Sequence, residues 1–343
     1  MSHLQQLAYV WPQLNASAQW RVELEDFQVY EELGFDPDGE GEHVLLQIQK
    51  RNANTQWVAK QLARFVDVKN MDVSYAGLKD RFAVTTQWFS VRLAGKLNPD
   101  WNAFNNEEYQ VLQNHLHRRK LKRGSLRANH FKIILRQVAG DREELEQRLN
   151  LIQENGVPNY FTEQRFGRNE DNLRQAELML TGQRRVKDRN KRSLYLSAAR
   201  SMLFNHVLSQ RVQQQTWNKI LPDEIVMLAG SRSSFIADDV DEAIEQRLHD
   251  WDIDPSGPLV GDGDKNILEI EREMLAAYKD WCEGLARARL EPARRALRLQ
   301  VKDLQWQFRD EDQLYLEFRL TKGAYASAII RELLNAERPM RQS

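Results

Sequence analysis

The sequence predicts an α+β protein in which a mainly antiparallel, mixed sheet is interrupted by an inserted, helix-rich α+β domain. Three observations indicate this class: strand patterns early in the chain, helical periodicity over about residues 160–300, and a hairpin pattern near the end. The 343 residues are enough for two domains. We therefore expect residues 1–154 and 304–343 to form one domain and residues 155–303 to form the inserted one.

Strand and helix signals alternate through the first half of the chain. Residues 21–30, 44–48, 84–93 and 131–136 are predicted strands, because β-branched, aromatic or alternating apolar side chains occur there. Residues 54–68 carry apolar side chains at helical spacing. Asp141 and Glu144 form a capping-box pattern, which predicts that another helix begins there.

The second half is predicted to be helical until a terminal hairpin. After a break at residues 156–159, helical segments include residues 193–211 and 269–288. Residues 304–308 and 314–320 alternate around a polar turn, which predicts a β-hairpin that completes the N-terminal sheet, and a helix over about 325–334 follows. The loops between the middle helices are expected to contain Pro222, Pro255, Gly257, Pro258, Gly261 and Gly263.

The composition excludes several classes of protein. Hydrophobic residues make up 41% and charged residues 29%, an ordinary globular balance. The single cysteine, Cys282, cannot form a disulfide framework within the chain. The N-terminus lacks a signal-peptide pattern, and no stretch approaches the roughly 18–20 apolar residues that span a bilayer. We expect a cytoplasmic protein with no membrane partner.

Two basic runs stand out in a chain whose formal net charge is −1. Eight of nineteen residues from Arg118 to Arg136 are Lys or Arg and none is acidic, and six of nine are basic from Arg184 to Arg192. A single run of this kind is usually a solvated surface. Two runs interleaved with aromatic-bearing segments favour a polyanionic partner such as nucleic acid.

Motifs for cofactors are missing from the sequence. It contains neither a phosphate-binding loop of the Walker type nor a dinucleotide-binding glycine motif after a strand. One cysteine cannot supply the cysteine pair of the zinc deaminases. We therefore expect no cofactor and no metal.

The segment YAGLKD, residues 75–80, carries the strongest chemical signal. Asp80 is flanked by Lys79 and Arg81, follows a glycine-containing loop and precedes a predicted strand. Neighbouring cations stabilise an ionised carboxylate, the form that a nucleophile or base requires. On these residues alone, a surface Lys-Asp-Arg turn without a chemical role remains the favoured interpretation.

Seven blocks of sequence, in chain order, resemble the TruD family of tRNA pseudouridine synthases. YAGLKD and the TTQW strand after it are similar to the catalytic motif of that family. Collinear matches of this number are far more specific than one tetrapeptide. The remaining blocks are EDFQVYE (25–31), GEGEH (39–43), LRANHF (126–131), VPNYFTEQRFG (157–167), DRNKRSLYLSAAR (188–200), and GAYAS with Arg331 and Glu332 (323–332).

The resemblance implies a pseudouridine synthase fold and its reaction. The N1–C1′ glycosidic bond of a uridine breaks, the base turns, and the base rejoins the sugar through C5. Nothing is added or removed, which agrees with the missing cofactor motifs. The implied substrate is tRNA, at position thirteen in the D arm. The implied catalytic residue is Asp80, acting on sugar C1′, on base C6 or on a sugar proton.

Other roles are also implied by the resemblance. Arg21 and Lys79 would support Asp80, although Arg21 also fits a solvated strand end. The inserted domain would line an RNA cleft. The candidate contacts there to the RNA backbone are Arg165, Arg189, Lys191 and Arg192.

Four further residues are implied to contact the target nucleotide. Phe131 would stack on the extruded uracil, although its strand pattern also fits a core phenylalanine. Phe27, Asn129 and Tyr325 occupy matching positions of the family. Phenylalanine is common in the family where Tyr325 stands, and the added hydroxyl needs a hydrogen-bond partner if it is buried.

Two alternatives stay open at this point. An RNA-binding or RNA-folding module without catalysis would need the basic runs but not Asp80. The same chemistry on another RNA would leave every implied pocket residue unchanged, because fold does not fix the substrate. We expect a monomer.

Overall fold

The computed structural model of the chain describes residues 4–263, 267–310 and 312–338. These residues divide into two compact units. The sheet unit comprises residues 15–145, 301–323 and 334–338. The helical unit comprises residues 4–14, 146–300 and 324–333.

The strands and helices have the following bounds in the described residues. The strands are β1 Ser17–Trp20, β2 Phe27–Leu33, β3 His43–Arg51, β4 Val73–Tyr75, β5 Val84–Arg92, β6 Tyr109–His117, β7 Leu126–Ala139, β8 Val157–Pro158, β9 Glu224–Leu228, β10 Ser234–Ala237, β11 Ile253–Leu259, β12 Ala293–Ala296, β13 Arg298–Leu299, β14 Lys302–Arg309, β15 Gln313–Thr321 and β16 Asn335–Glu337. The helices are α1 Thr55–Phe65, α2 Arg142–Asn155, α3 Glu163–Phe166, α4 Asp171–Leu180, α5 Arg189–Gln213, α6 Glu242–His249, α7 Glu269–Leu275, α8 Lys279–Arg287 and α9 Ala326–Leu333.

A mixed sheet of ten strands forms the sheet unit. Seven strands follow the order β14-β15-β7-β2-β5-β3-β6, while β1 pairs with β7 and β16, and β4 pairs with β5. The described pairs are antiparallel apart from β2–β5 and β1–β16, which are parallel. β15 pairs with β7 from Leu314 opposite Leu135 to Thr321 opposite Ala128. The C-terminal hairpin therefore completes the sheet begun by the N-terminal strands, as the sequence predicted.

Helix α1 covers one face of this sheet. Asn54 caps its N-terminus, because the Asn54 side chain accepts hydrogen bonds from the amides of Gln56 and Trp57. Val58 and Leu62 are fully buried in the core beneath it. The helix predicted over residues 54–68 is confirmed and ends at Phe65.

The strand predicted over residues 21–30 is wrong in its first half. Arg21 has a φ of +59°, and a short 3-10 helix occupies Leu24–Asp26 before β2 begins at Phe27. Asp26 explains the interruption: its buried carboxylate accepts the amide of Glu23 at 2.8 Å and pairs with Arg136 at 2.9 Å. A local side-chain acceptor competes here with the strand ladder.

The helical unit is built around α5, which is buried along much of its length. Helices α4, α7 and α8 and strand β11 contact it. The unit also contains a four-stranded sheet in the order β10-β9-β11-β12. The helix predicted over residues 269–288 is two helices, α7 and α8, separated by a 3-10 turn at Ala276–Tyr278.

The loop predicted at Pro255, Gly257 and Pro258 is wrong, because these residues lie in β11. Residues 253–255 pair with β9 and residues 256–259 pair with β12, so the strand changes partner in its middle. Gly257 is needed for close packing, since a Cβ atom there would meet Leu297 Cδ2 at 2.8 Å and the Phe204 ring at 3.1 Å. Glycine in a strand can mark such an approach as well as a turn.

The two units differ from the predicted domain boundaries at both ends of the chain. Residues 4–14 and 324–333 belong to the helical unit, whereas the prediction placed them with the sheet. The assignment of a catalytic and an inserted domain stays a prediction. In the described part of the chain, none of the helices has the length and apolar character needed to cross a membrane.

Candidate active site

Asp80 lies in the loop between β4 and β5 of the sheet unit. Its side chain is 34% exposed, so a substrate can reach the carboxylate. Arg21 Nη2 donates a hydrogen bond of 2.7 Å to Asp80 Oδ2. This charge-assisted bond holds the carboxylate in one orientation.

Arg21 is itself held firmly. Its side chain is only 7% exposed. The guanidinium carbon lies 3.6 Å from the ring centroid of Phe27 and 4.8 Å from that of Trp20. The left-handed backbone of Arg21, with φ at +59°, costs of order 1–3 kcal/mol for a residue with a side chain. Packing against the two rings and the bond to Asp80 offset that cost and keep the guanidinium beside the carboxylate.

A buried lysine supports the backbone at Asp80. Lys50 Nζ donates to the carbonyl oxygens of Asp80 at 3.0 Å and Ala53 at 2.8 Å. Burial lowers the pKa of the Lys50 ammonium to about 8, and the charge of Asp80 partly opposes this shift. Lys50 thus places a cation of unusually low pKa beneath the Asp80 loop.

We expect the pKa of Lys50 to appear in the pH dependence of stability. Its pKa of about 8 lies below the ordinary value of 10.5, so folding opposes the charged form. The free-energy cost of burying the charged ammonium is fully present below about pH 8, and it is lost as the pH rises toward 10.5. The free energy of unfolding of the native protein, relative to Lys50→Met, should therefore rise by about 3 kcal/mol across this range. Urea unfolding at pH 7 and pH 10 measures it, and a difference independent of pH would contradict it.

The residues before Asp80 are anchored to the strands and to α1. Gln87 Nε2 donates to the carbonyl oxygen of Gly77 at 3.2 Å, and the Lys79 amide donates to Thr55 Oγ1 at 3.2 Å. Thr55 Oγ1 also donates to Gln87 Oε1 at 2.8 Å. The loop is therefore fixed by side chains of β5 and α1 before it reaches Asp80.

Lys79 forms an ion pair with Glu31. Lys79 Nζ lies 2.6 Å from Glu31 Oε1, and the two side chains are 9% and 0% exposed. The second oxygen of Glu31 accepts the amide of Trp88 at 2.8 Å. Arg81, on the other side of Asp80, donates to the carbonyl oxygen of Asn52. The close cations that the sequence placed beside Asp80 thus bond elsewhere, and the role of Lys79 stays a prediction.

Strand register places the other candidate residues of this unit on one face of the sheet. Across β2 and β7, Val29 is opposite Phe131 and Glu31 is opposite Asn129. Phe131 packs between Phe27, with ring centroids 6.0 Å apart, and Phe318 at 5.4 Å. Phe131 is 6% exposed and Phe27 is 3% exposed. These contacts are typical of core rings, and the stacking of Phe131 on the uracil stays a prediction.

Asn129 presents a buried acceptor on the same face. The residue is 9% exposed, and its Oδ1 has no hydrogen-bond partner among the described residues. Leaving a buried acceptor unmet costs roughly 1–3 kcal/mol. A ligand that donates a hydrogen bond to Asn129 would remove that cost.

Tyr325 and Arg165 lie together in the helical unit. Arg165 Nε donates to the Tyr325 hydroxyl at 3.2 Å, and Arg165 Nη1 donates to Ser197 Oγ at 2.9 Å. Phe161 packs edge-on against the Tyr325 ring, with centroids 6.0 Å apart. Arg165 is therefore the hydrogen-bond partner that the hydroxyl of Tyr325 was expected to need.

Arg189, Lys191 and Arg192 occupy the first turn of α5 and are exposed. Asp188 caps the helix by accepting the amides of Asn190 at 2.8 Å and Lys191 at 3.0 Å. The three cations therefore project from a helix whose start is well fixed. Their contact with RNA stays a prediction.

Potential metal ligands lie scattered through the described part of the chain. Within residues 4–263, 267–310 and 312–338, no three His, Cys, Asp or Glu side chains are arranged to hold a metal ion. The carboxylates near Asp80 are instead used in bonds to cations, as with Glu31.

Comparison with known proteins decides the family. The family model described as tRNA pseudouridine synthase D (TruD) matches residues 3–183 and 182–333. The chain belongs to the TruD family. A protein named tRNA pseudouridine synthase D from Methylococcus capsulatus is 51% identical over 92% of this chain and 90% of its own. One of the same name from Nitrosococcus oceani is 47% identical over 98% of this chain and 96% of its own.

A solved structure is similar in fold. The crystal structure of a TruD candidate from Methanosarcina mazei has a TM-score of 0.68 and covers 95% of each chain, at 21% identity. The predicted α+β fold with a mixed, mostly antiparallel sheet is confirmed. At this identity the likeness concerns the fold alone.

Sequence reasoning missed two residues of this TruD chain, Glu31 and Lys50. Both were detectable, because each continues the buried phase of an alternating strand. Glu31 follows buried Phe27 and Val29 at intervals of two, and Lys50 follows buried Ile48. A charged residue in the buried phase of a strand indicates an internal ion pair or a functional group.

Proposed function

We propose that this chain isomerises uridine to pseudouridine in tRNA, with Asp80 as the catalytic residue. The names of its full-length TruD relatives support the reaction and the substrate. The observation that carries the role of Asp80 is its geometry. A reachable carboxylate is fixed at 2.7 Å by a nearly buried guanidinium, and the same unit holds a buried, unmet amide oxygen at Asn129.

The reaction balances without a co-reactant. The N1–C1′ bond of uridine breaks, the C5–C1′ bond forms, C5 loses its hydrogen as a proton, and N1 gains a proton. Asp80 can attack C1′, attack C6 or first remove a sugar proton. Each of these steps needs a carboxylate that the nucleoside can reach, and the hydrogen bond from Arg21 holds that carboxylate in one orientation.

Recognition of the base is proposed to centre on Asn129. Its Oδ1 accepts the N3–H of uracil, a donor that cytosine lacks, so that the bond both binds and selects the base. Phe27 and Phe131 form the apolar wall behind it. Tyr325 is proposed to contact the target nucleotide as well, with its hydroxyl oriented by Arg165.

The proposed target is the uridine at position thirteen in the D arm. Extracting a base from folded RNA costs a few kcal/mol, which contacts to phosphates must offset. We assign such contacts to Arg165 and to Arg189, Lys191 and Arg192. The enzyme acts without cofactor or metal, as a monomer, in the cytoplasm.

We expect the paired substitution of Arg189 and Lys191 by alanine to weaken tRNA binding without changing the free energy of unfolding. Each lost phosphate contact should flatten the slope of log K against log salt by about 1. Filter binding at several salt concentrations measures this. An unchanged slope and affinity would remove both residues from the RNA interface.

The function is tested by mapping the product. An unmodified tRNA transcript is incubated with the protein, and pseudouridine is located along the chain by chemical modification and primer extension. We expect one new pseudouridine at position thirteen, and none when that uridine is replaced by cytidine. Tight binding without pseudouridine in any tRNA would favour the binding-module alternative.

A further inference from the structure

The helical unit contains a cavity of about 610 Å³, and Arg192 is the one lining residue to which a role has been assigned above. It lies between the end of α4, the connection to α5, the first turns of α5 and the end of α8. Its volume is within the range of about 300–1,000 Å³ that is typical of small-molecule sites. Its lining divides into two chemically distinct parts.

One part is a cationic rim. No acidic side chain lines the cavity within the described residues. Acids close to the rim do not line the cavity itself: Asp188 caps α5, and Glu283 forms an exposed ion pair of 3.7 Å with the rim residue Arg287. The cations of the rim are Arg184, Arg185, Lys187, Arg192 and Arg287.

Two of these guanidiniums are oriented in advance. Arg287 Nη2 donates to the carbonyl oxygen of Leu180 at 2.9 Å, and Arg184 Nη1 donates to Gln175 Oε1. A guanidinium has five N–H donors, so each arginine keeps donors for a ligand after these bonds. Pre-oriented donors reduce the entropy lost when an anion binds.

The other part is an aliphatic floor. Leu180 and Leu196 are buried there, and Gly284 brings α8 so close to α4 that a Cβ would meet Leu180 Cβ at 2.8 Å. A phosphate ion alone has no apolar surface to bury against these leucine side chains. A nucleotide fits both parts of the lining, because its base and ribose can bury apolar area on the floor while its phosphate remains at the rim.

We propose that this cavity holds one unpaired nucleotide of the tRNA, with its phosphodiester on the cationic rim and its base on the aliphatic floor. The inference deepens the proposed function, since it takes tRNA as the RNA. It adds a second nucleotide site, built within the helical unit and separate in its residues from Asp80.

Charge and shape are tested by separate variants. Arg185→Ala with Lys187→Ala removes two rim charges that form no ion pair in the described part of the chain. Val186→Leu with Ala288→Leu, the filled variant, takes up part of the cavity volume without changing the net charge. The matched control is Arg232→Ala with Lys279→Ala, which removes two exposed charges of the same unit that do not line the cavity.

The expected results differ for each variant. The rim variant should weaken binding of an unmodified tRNA transcript and flatten its salt slope by about 1–2. The filled variant should lose about tenfold in affinity with its salt slope nearly unchanged. The control should bind like the native protein. All three should keep the native free energy of unfolding and the native rate of pseudouridine formation at saturating tRNA.

Three outcomes would overturn the proposal. If the filled variant bound tRNA with native affinity, no nucleotide of the tRNA would occupy the cavity. If the control and rim variants lost tRNA affinity equally, the loss would come from the net charge of the protein and not from the cavity. Binding of UMP or GMP that tRNA does not displace would assign the cavity to a free nucleotide. Because pseudouridine formation is measured in the same proteins, failure of this inference is distinguishable from failure of the proposed function.

Discussion

Replacing Arg21 by methionine should lower kcat for pseudouridine formation about 100-fold, with a much smaller change in the KM for tRNA. The guanidinium is the cation bonded to Asp80 Oδ2, at 2.7 Å and nearly out of water. Removing one fixed donor of this kind from an active site costs about 10²–10³ in kcat. Single-turnover measurement at saturating tRNA isolates this effect from binding.

The matched control for Arg21→Met is Arg21→Lys. It keeps the positive charge but loses the planar donor that packs over Phe27. We expect it to recover part of kcat. If both variants instead kept the native kcat, the ion pair would serve folding and not the reaction. The other alternative, that Arg21 is a solvated strand end, is already excluded because its side chain is only 7% exposed.

Glu31→Leu should destabilise the sheet unit by about 3–5 kcal/mol, because it leaves the Lys79 ammonium buried without its partner. The loss includes the acceptor of the Trp88 amide, which Glu31 Oε2 bonds at 2.8 Å. The free energy of unfolding in urea measures this. Activity should fall as well, since Lys79 holds the loop just before Asp80.

A second variant distinguishes the buried charge from general damage to the core. Glu31→Leu combined with Lys79→Met removes both charges, and replacing a buried pair by apolar groups is often neutral. We expect the double variant to recover most of the stability but not the activity, because the ion pair that ties Lys79 of the loop to β2 is then missing. A double variant as unstable as the single one would contradict the assigned pairing.

The fold was largely predictable from alternation and helical spacing. The hairpin of β14 and β15, helix α1 and strand β3 all follow from apolar periodicity. The errors arose where tertiary contacts decide the conformation. The ion pair of buried Asp26 with the partly exposed Arg136 interrupts the strand. At Gly257, close packing on Phe204 explains a glycine that otherwise indicates a loop.

The site was only partly predictable. The family resemblance implied Asp80, whereas sequence adjacency suggested cations at Lys79 and Arg81 that the structure directs to Glu31 and Asn52. The cation that bonds the carboxylate comes from Arg21, 59 residues away in sequence. Contacts of such separation depend on how strands are ordered in the sheet, which periodicity alone does not determine.

The most direct test of the role of Asp80 is the release of tritium from tRNA labelled at C5 of uridine. Forming the C5–C1′ bond must replace that hydrogen, so release reports the reaction itself. We predict release by the native protein and none by Asp80→Asn, with equal tRNA binding and equal free energy of unfolding. Release by Asp80→Asn at the native rate would contradict the assignment of Asp80 as the catalytic residue.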